Sequence, residues 1–291
     1  MKSLIVSIFS LCVSYLPLNV NRFLGRVLGR TIYHLKTRTV TTTITNLDYT
    51  NFVPDQKSRK SLVKESCIQT GMTLTESFWL WNNSSEKVLA KVISVRGAEL
   101  IDEALADSNG VLMIGCHYGA WELFTIWCAV NYPLIAAYRP AKIAALEDIM
   151  QAGRSKTGAE FVSGERKNVR QILKRLKDGS IFAILADQEP ALGSGIYANF
   201  LNKPAYSMTL PFKLAIKTNA KPLFFSITRI EDGFTIEIEE VPRLAQQPMD
   251  KFVQEMNNKI ESIIKRVPAQ FEWGYKRFKT LKGDNKDIYS K

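Results

Sequence analysis

The chain has 291 residues, 46% apolar and 23% charged, a balance that suits a folded α/β unit and excludes a disordered or fibrous one. With 39 Lys and Arg against 28 Asp and Glu the net charge is +11, which implies an anionic partner such as nucleic acid, an anionic membrane, phosphorylated lipid or an acidic protein. No zinc spacing, aromatic-rich RNA-binding strand or long basic helix accompanies that charge, so no nucleic-acid partner is expected and anionic lipid or an acidic carrier fits better.

At the N-terminus, Leu4 to Leu16 is apolar with three serines and ends at Pro17. That run is shorter than the ~20 residues a spanning helix needs. A basic amphipathic pattern follows in Arg22, Phe23, Leu24, Arg26, Val27, Leu28, Arg30, Ile32 and Tyr33. Three readings compete. A secretory signal would share Lys2 and the apolar run, but no small-x-small cleavage site follows. A spanning helix requires the run to continue to Val20. An interfacial anchor, with Arg22, Arg26, Arg30 and Lys36 on anionic headgroups, fits the length best.

Residues 57–81 then read as a long amphipathic helix (Leu62, Val63, Cys67, Ile68, Met72, Leu74, Phe78, Trp79) that covers the sheet or a ligand site. Strand 91–95, helix 98–106, strand 111–116, helix 120–130 and strand 134–138 come next. Helix 142–156 leads to a short strand at 161–162. Helix 166–177, strand 181–185, a loop over 187–204 carrying Gly193 and Gly195, and helix 207–218 follow. Strands 222–228 and 234–238 around Asp232 and Gly233 form a hairpin signal. Helix 250–266 and a tail rich in Trp, Tyr and Arg close the chain. Alternating βα units ending in a hairpin predict an α/β fold, a mixed β-sheet covered by helices. No tandem repeat, low-complexity tract or Pro/Gly/Ser linker interrupts it.

The densest chemical signal lies over 111–122. An apolar run from Val111 to Gly115 is cut off at His117, and a helical pattern with Glu122 in its first turn begins. A strand feeding a helix this way places His117 at the carboxyl end of a strand, where α/β sheets hold ligands. On one continuous helix, positions five apart sit about 140° from each other, since each residue turns about 100°. His117 and Glu122 therefore meet only if the histidine lies in the turn, a bend that Gly119 permits. A carboxylate on one ring nitrogen would fix the tautomer and leave the other free to take a proton. The structural alternative is a satisfied histidine beside a dipole-compensating glutamate.

The four cysteines, Cys12, Cys67, Cys116 and Cys128, show no metal spacing and read as reduced thiols of a cytosolic compartment. Cys116, beside His117, reads as a small core residue rather than a nucleophile, because neighbouring strand residues point to opposite faces.

His117-Tyr-Gly-Ala-Trp-Glu122 resembles the H-x4-D/E box of the glycerolipid acyltransferase superfamily, and within it the branch of bacterial lipid A biosynthesis (late, or secondary) acyltransferases. The likeness continues through Asn46-Leu47 with Phe52-Val53-Pro54, Tyr138-Arg139-Pro140, Arg154 with Gly158, and Ala186-Asp187-Gln188. It runs on through Phe200 to Ala205 and Gln270 to Lys279. Leu201-Asn202 stands where many relatives have Phe-Gly, and Glu189 where some carry aspartate. No Phe-Pro-Glu-Gly box of the glycerol-phosphate enzymes is present.

The resemblance implies a membrane anchor over 1–36 and a catalytic domain over 37–291, at the cytoplasmic face of the inner membrane. It implies transfer of a fatty acyl group from an acyl carrier protein thioester to a hydroxyl of a lipid A precursor, with no metal or organic cofactor. His117 would be the general base and Glu122 its orienting partner. Oxyanion donors would be backbone N–H groups near Gly119 or the side chain of Arg139. Arg139 and Arg154 would hold phosphate, unless they pair with Glu147, Asp148 or Asp187. Asp187 and, less directly, Glu189 would orient Arg139 or the acceptor sugar, or cap a turn. Trp273, Tyr275, Lys276 and Arg277 would lie at headgroup level or pack on the core. The alternatives are another membrane-lipid acceptor, a thioesterase using water, and a non-catalytic basic lipid-binding protein.

Overall fold

Seven strands form one mixed sheet in the computed structural model, which describes residues 2–107, 110–141, 143–163, 168–283 and 287–290. The strands are β1 (Val92–Arg96), β2 (Val111–Gly115), β3 (Leu134–Tyr138), β4 (Glu160–Ser163), β5 (Ile181–Leu185), β6 (Gly195–Phe200), β7 (Lys203–Met208), β8 (Lys221–Ile230) and β9 (Gly233–Glu240). The order is β1-β9-β8-β2-β5-β3-β4, with β6 and β7 pairing separately. Only the β8–β9 hairpin is antiparallel in the large sheet.

The helices are α1 (Lys2–Ser14), α2 (Leu18–His34), α3 (Arg38–Thr50), α4 (Gln56–Asn82), α5 (Ser85–Leu89), α6 (Glu99–Asp107), α7 (Glu122–Asn131), α8 (Ala144–Ser155), α9 (Val169–Lys177), α10 (Leu210–Thr218) and α11 (Met249–Arg266). Period-two alternation along the strands builds a core on each face. Leu112, Ile114, Phe182, Ile184 and Phe224 pack with Leu176, Leu214, Phe252 and Ile260, contributed by α9, α10 and α11. Val111, Met113, Ala183, Phe225 and Ile227 pack with Ile101, Leu123, Phe124 and Trp127, from α6 and α7. Covered on both sides, β2 is buried at all five positions, which is why it reads as an unbroken apolar run.

Two expectations are corrected here. The stretch read as a loop over 187–204 contains β6 and the start of β7, and 207–208 belong to β7 rather than to a helix. Leu201 and Asn202 adopt φ of 50° and 65°, the left-handed pair that closes a two-residue hairpin between Phe200 and Lys203. Helix α3 was not anticipated, because its threonines are β-branched. Thr43, Thr45 and Thr50 satisfy their hydroxyls on carbonyls four residues back, at 2.8, 3.0 and 2.8 Å. The first residues of the expected helix at 166–177, with Arg166 and Lys167, lie outside the described residues, as does Lys142.

The N-terminal segment departs further. Among the described residues no helix is long and apolar enough to cross a membrane. Helix α1 has 13 residues, or about 20 Å at 1.5 Å per residue. It ends at Ser14, short of the Val20 that the spanning reading requires. Arg22, expected on headgroups, is 2% exposed and paired with Glu76 of α4 at 2.6 Å. Gly25 and Gly29 of α2 meet Gly71 of α4 backbone to backbone. A Cβ at Gly71 would lie 2.2 Å from the Gly25 carbonyl oxygen, and one at Gly29 would lie 2.4 Å from that of Cys67. Outward, α1, α2 and the turn between them expose Ile8, Leu11, Tyr15, Phe23 and Val27.

Candidate active site

Strands β2 and β5 are parallel neighbours in register, Gly115 beside Leu185, so the two chains leave the sheet side by side. Two residues past each strand end stand His117 and Asp187. His117 Nδ1 lies 2.9 Å from Asp187 Oδ1. A carboxylate only accepts, so the neutral ring carries its proton on Nδ1 and its lone pair on Nε2. The next residue, Gln188, brings its carboxamide Nε2 to 3.4 Å from His117 Nε2. Trp121 stands edge-on to the imidazole at 5.1 Å between centroids.

The turn holding His117 is fixed by main-chain bonds on both sides. Gly119 sits at φ +60°, and a Cβ there would fall 1.9 Å from the Ile227 carbonyl oxygen, so only glycine fits. Its N–H donates to the Gln270 carbonyl at 2.9 Å, and the Ala120 N–H to that of Ile227 at 3.2 Å. The bend expected of Gly119 is therefore present, but its amide is spent on Gln270 and is no oxyanion donor. The Glu272 N–H donates to the His117 carbonyl at 2.9 Å, fastening the C-terminal segment behind the ring.

Glu122 is not the partner of the imidazole. Arg154 grips its carboxylate with two nitrogens, Nε at 3.0 Å to Oε2 and a terminal nitrogen to Oε1, and Trp81 Nε1 donates to Oε2 at 3.1 Å. Glu122 opens α7, whose first turn aims it at α4 and α8 instead of back at the turn. Arg154, expected to hold phosphate, is thus committed to Glu122, stacked between the Trp81 and Phe161 rings at 5.8 and 5.5 Å.

Asp187, expected on Arg139 or a sugar, faces the base. Glu189 accepts from the Lys279 and Thr280 backbone N–H groups at 3.1 and 3.2 Å and from the Thr280 hydroxyl at 2.5 Å, which pins the tail. Arg139 stands exposed on the cavity wall. Trp273 and Arg277 are 1% and 3% exposed, so these two pack in the core and do not reach headgroup level. Arg277 donates to the Tyr206 carbonyl and Ser207 Oγ, each at 2.8 Å.

Electrostatics follow the pairing. Burial pushes the His117 pKa down, but the charge and hydrogen bond of Asp187, with Glu272 and Glu122 nearby, hold it above its ordinary value. Burial raises Glu122, yet Arg154 keeps it below the usual carboxylate range. Burial lifts Glu272 above that range and Cys116 well above an ordinary thiol, which suits the core role read for that cysteine. All four cysteines are free, and among the described residues no cluster could hold a metal ion.

His117 opens onto a cavity of about 780 Å³. Trp121, Gln188, Glu189 and Arg139 give its polar wall, and Phe124, Ala136, Ala183 and Phe225 its depth. Phe124 and Phe225 stack at 3.7 Å, and Gly115 leaves room for the second ring, since a Cβ there would meet it at 2.4 Å. A base whose lone pair faces an apolar cavity with a cation at its wall can deprotonate a hydroxyl beside a long apolar chain.

A model of the bacterial lipid A biosynthesis acyltransferases matches residues 2–280. The chain belongs to that family. It is 25% identical over 279 residues to the lipid A biosynthesis palmitoleoyltransferase of Escherichia coli (strain K12), covering 94% of this chain and 90% of that one. It is 26% identical over 274 residues to the lipid A biosynthesis lauroyltransferase of the same organism, covering 92% and 88%. A lipid A biosynthesis acyltransferase of Haemophilus influenzae is 24% identical over 274 residues, covering 91% and 86%. Gln188, Glu272 and the Arg229–Glu76 pair had no role assigned from sequence. Gln188 and Glu272 carried a signal only as members of the matched segments Ala186-Asp187-Gln188 and Gln270 to Lys279.

Proposed function

We propose that this protein transfers a fatty acyl group from an acyl carrier protein thioester to a hydroxyl of a lipid A precursor, with His117 as general base. The observation that carries the reading is the His117–Asp187 pair at the open end of an apolar cavity. Neutral His117 takes the hydroxyl proton on Nε2 as the oxygen attacks the thioester carbon. Asp187 is a positioning residue that fixes the tautomer and steadies the imidazolium. Base assistance of this kind contributes about 10²–10⁴-fold. Glu122 acts at one remove, by holding Arg154 and the wall made by α8.

The acyl chain lies along Ala136, Ala183, Phe124 and Phe225, and Arg139 meets an acceptor phosphate. The exposed apolar side chains of α1 and α2, with Arg26 and Arg30 between them, rest on the inner membrane at its cytoplasmic face.

An assay in detergent micelles tests this. Purified protein is incubated with acyl carrier protein thioesters of graded length and a tetra- or penta-acylated lipid A precursor, and products are read by mass. One acyl group gained by the glycolipid, lost in His117→Ala, is the expected result. Thioester breakdown that needs His117 but adds nothing to the glycolipid would move the reading to another acceptor or to water. No consumption of any thioester by the wild type would overturn it.

A further inference from the structure

We propose that Gln188 is a catalytic residue, the side-chain donor that holds the oxygen of the reacting carbonyl as it becomes an oxyanion. The assignment rests on the acyl-transfer reading above.

The base and its donor come from one loop. Ala186 fixes the start of that loop by donating its N–H to the Gly115 carbonyl at 2.9 Å. Asp187, 4% exposed, then takes Nδ1 of His117, and Gln188 takes the opposite side of the ring, 3.4 Å from Nε2. Nε2 is the atom that must receive the proton. Whatever hydroxyl it deprotonates sits within about 2.6–3.2 Å of it, in the space the Gln188 amide now borders. The thioester carbon that this oxygen attacks lies one bond further on, so its carbonyl oxygen falls within reach of the same N–H groups.

Three backbone donors beside the base are already used. The amides of Tyr118, Gly119 and Ala120 go to the carbonyls of Cys116, Gln270 and Ile227 at 2.7, 2.9 and 3.2 Å. An acyl-transfer site still needs a donor where charge develops. In the free protein Gln188 faces the lone pair of the base. An incoming hydroxyl takes that lone pair by donating its own proton to it, and so releases the carboxamide N–H to the carbonyl.

The step balances without a further reactant. The hydroxyl proton passes to Nε2 as the carbon–oxygen bond forms, and the carbonyl electron pair moves onto the oxygen held by Gln188. When that pair returns, the carbon–sulfur bond breaks and the thiolate leaves, taking the proton from Nε2.

The test is steady-state kinetics across pH for wild type, Gln188→Ala and Gln188→Glu, with thermal melting of each. Removing one such donor lowers kcat by roughly 10²–10³-fold. The expected result for Gln188→Ala is a plateau lowered on that scale at every pH, with KM for both substrates within a few-fold and the melting midpoint unchanged. Gln188→Glu, the same length without the donor, falls at least as far. A Gln188→Ala plateau within threefold of wild type would refute the assignment. So would an acid limb displaced to higher pH with full activity recovered above it, because that marks a residue that only steadies the neutral base. Wild type that consumes no thioester overturns both this assignment and the reading beneath it, whereas active wild type with an unimpaired Gln188→Ala overturns this assignment alone.

Discussion

Asp187 and Glu122, two of the acidic residues near His117, differ in what their neutralisation should do. Asp187→Asn replaces an acceptor on Nδ1 with a group that can present N–H to it. The ring then carries its proton on Nε2, and the lone pair no longer faces the cavity. The pair is close, 2.9 Å, with Asp187 buried, so the whole base contribution is at stake and kcat falls about 10²–10⁴-fold. Asn keeps the shape, so the melting midpoint moves little. Glu122→Ala removes the partner of Arg154, whose side chain is 13% exposed. Breaking a buried ion pair by deleting one member costs about 3–5 kcal/mol. At about 2.1 cal/mol/K per residue of unfolding entropy, a chain of this length loses roughly 5–8 °C. Calorimetry with single-turnover acyl transfer for both variants separates the effects. Asp187→Asn with near-normal single-turnover rate, or Glu122→Ala with an unchanged midpoint, would refute the pairing described above.

Four further outcomes follow from the same structure. Ala136 and Ala183 are paired neighbours on β3 and β5 in the cavity wall. Ala183→Leu should exclude about two methylenes of acyl chain, each worth about 0.8 kcal/mol, so kcat/KM for the longest accepted donor falls roughly tenfold or more while a donor two to four carbons shorter is spared. The pH profile of kcat/KM should rise through an acid limb above the ordinary histidine value of about 6.5, because Asp187 holds His117 above it, and Asp187→Asn should move that limb down. The same group stabilises the fold fully below about pH 6.5 and loses that contribution as pH rises through the raised native value, which denaturant midpoints of wild type and His117→Ala can check. Gly71→Ala forces a methyl to within 2.2 Å of the Gly25 carbonyl oxygen, an overpacking that costs about 1–3 kcal/mol and should lower the melting midpoint by several degrees.

What could be read before the fold was known depended on how far apart the partners lie in the chain. The strand ending at Gly115, the turn at Gly119 and the histidine between them are local, so periodicity and a single glycine located them. The partner of His117 is 70 residues away, and only the adjacency of β2 and β5 brings it near. Local spacing offered Glu122, which belongs to Arg154, 32 residues further on. Arg22 read as a headgroup contact and Arg229 carried no reading, and nothing in their neighbours' identities revealed that both would be buried on Glu76. Helix α3 was hidden by its threonines, and the Leu201-Asn202 turn by the absence of glycine.

The Glu76 cluster ties down the turn that holds His117. Glu76 is 1% exposed and receives Arg22 on one oxygen at 2.6 Å and Arg229 on the other at 2.7 Å. Arg22 spends its remaining nitrogens on the carbonyls of Ile230, Glu231 and Gly233, at 2.6, 2.7 and 2.8 Å, which closes the β8–β9 turn. Arg229 reaches Gln69 and Thr73 on α4 and the carbonyl of Gly119. Burying three charges costs several kcal/mol per ion before pairing, and well-packed apolar side chains often do as well for stability alone. What apolar packing cannot do is donate to a carbonyl. The guanidinium of Arg229 does, and it ties the turn after His117 to the helix that carries Trp81 and to the strand that carries Phe225. The turn after His117 is thereby tied to the same buried ions that hold α2 against α4.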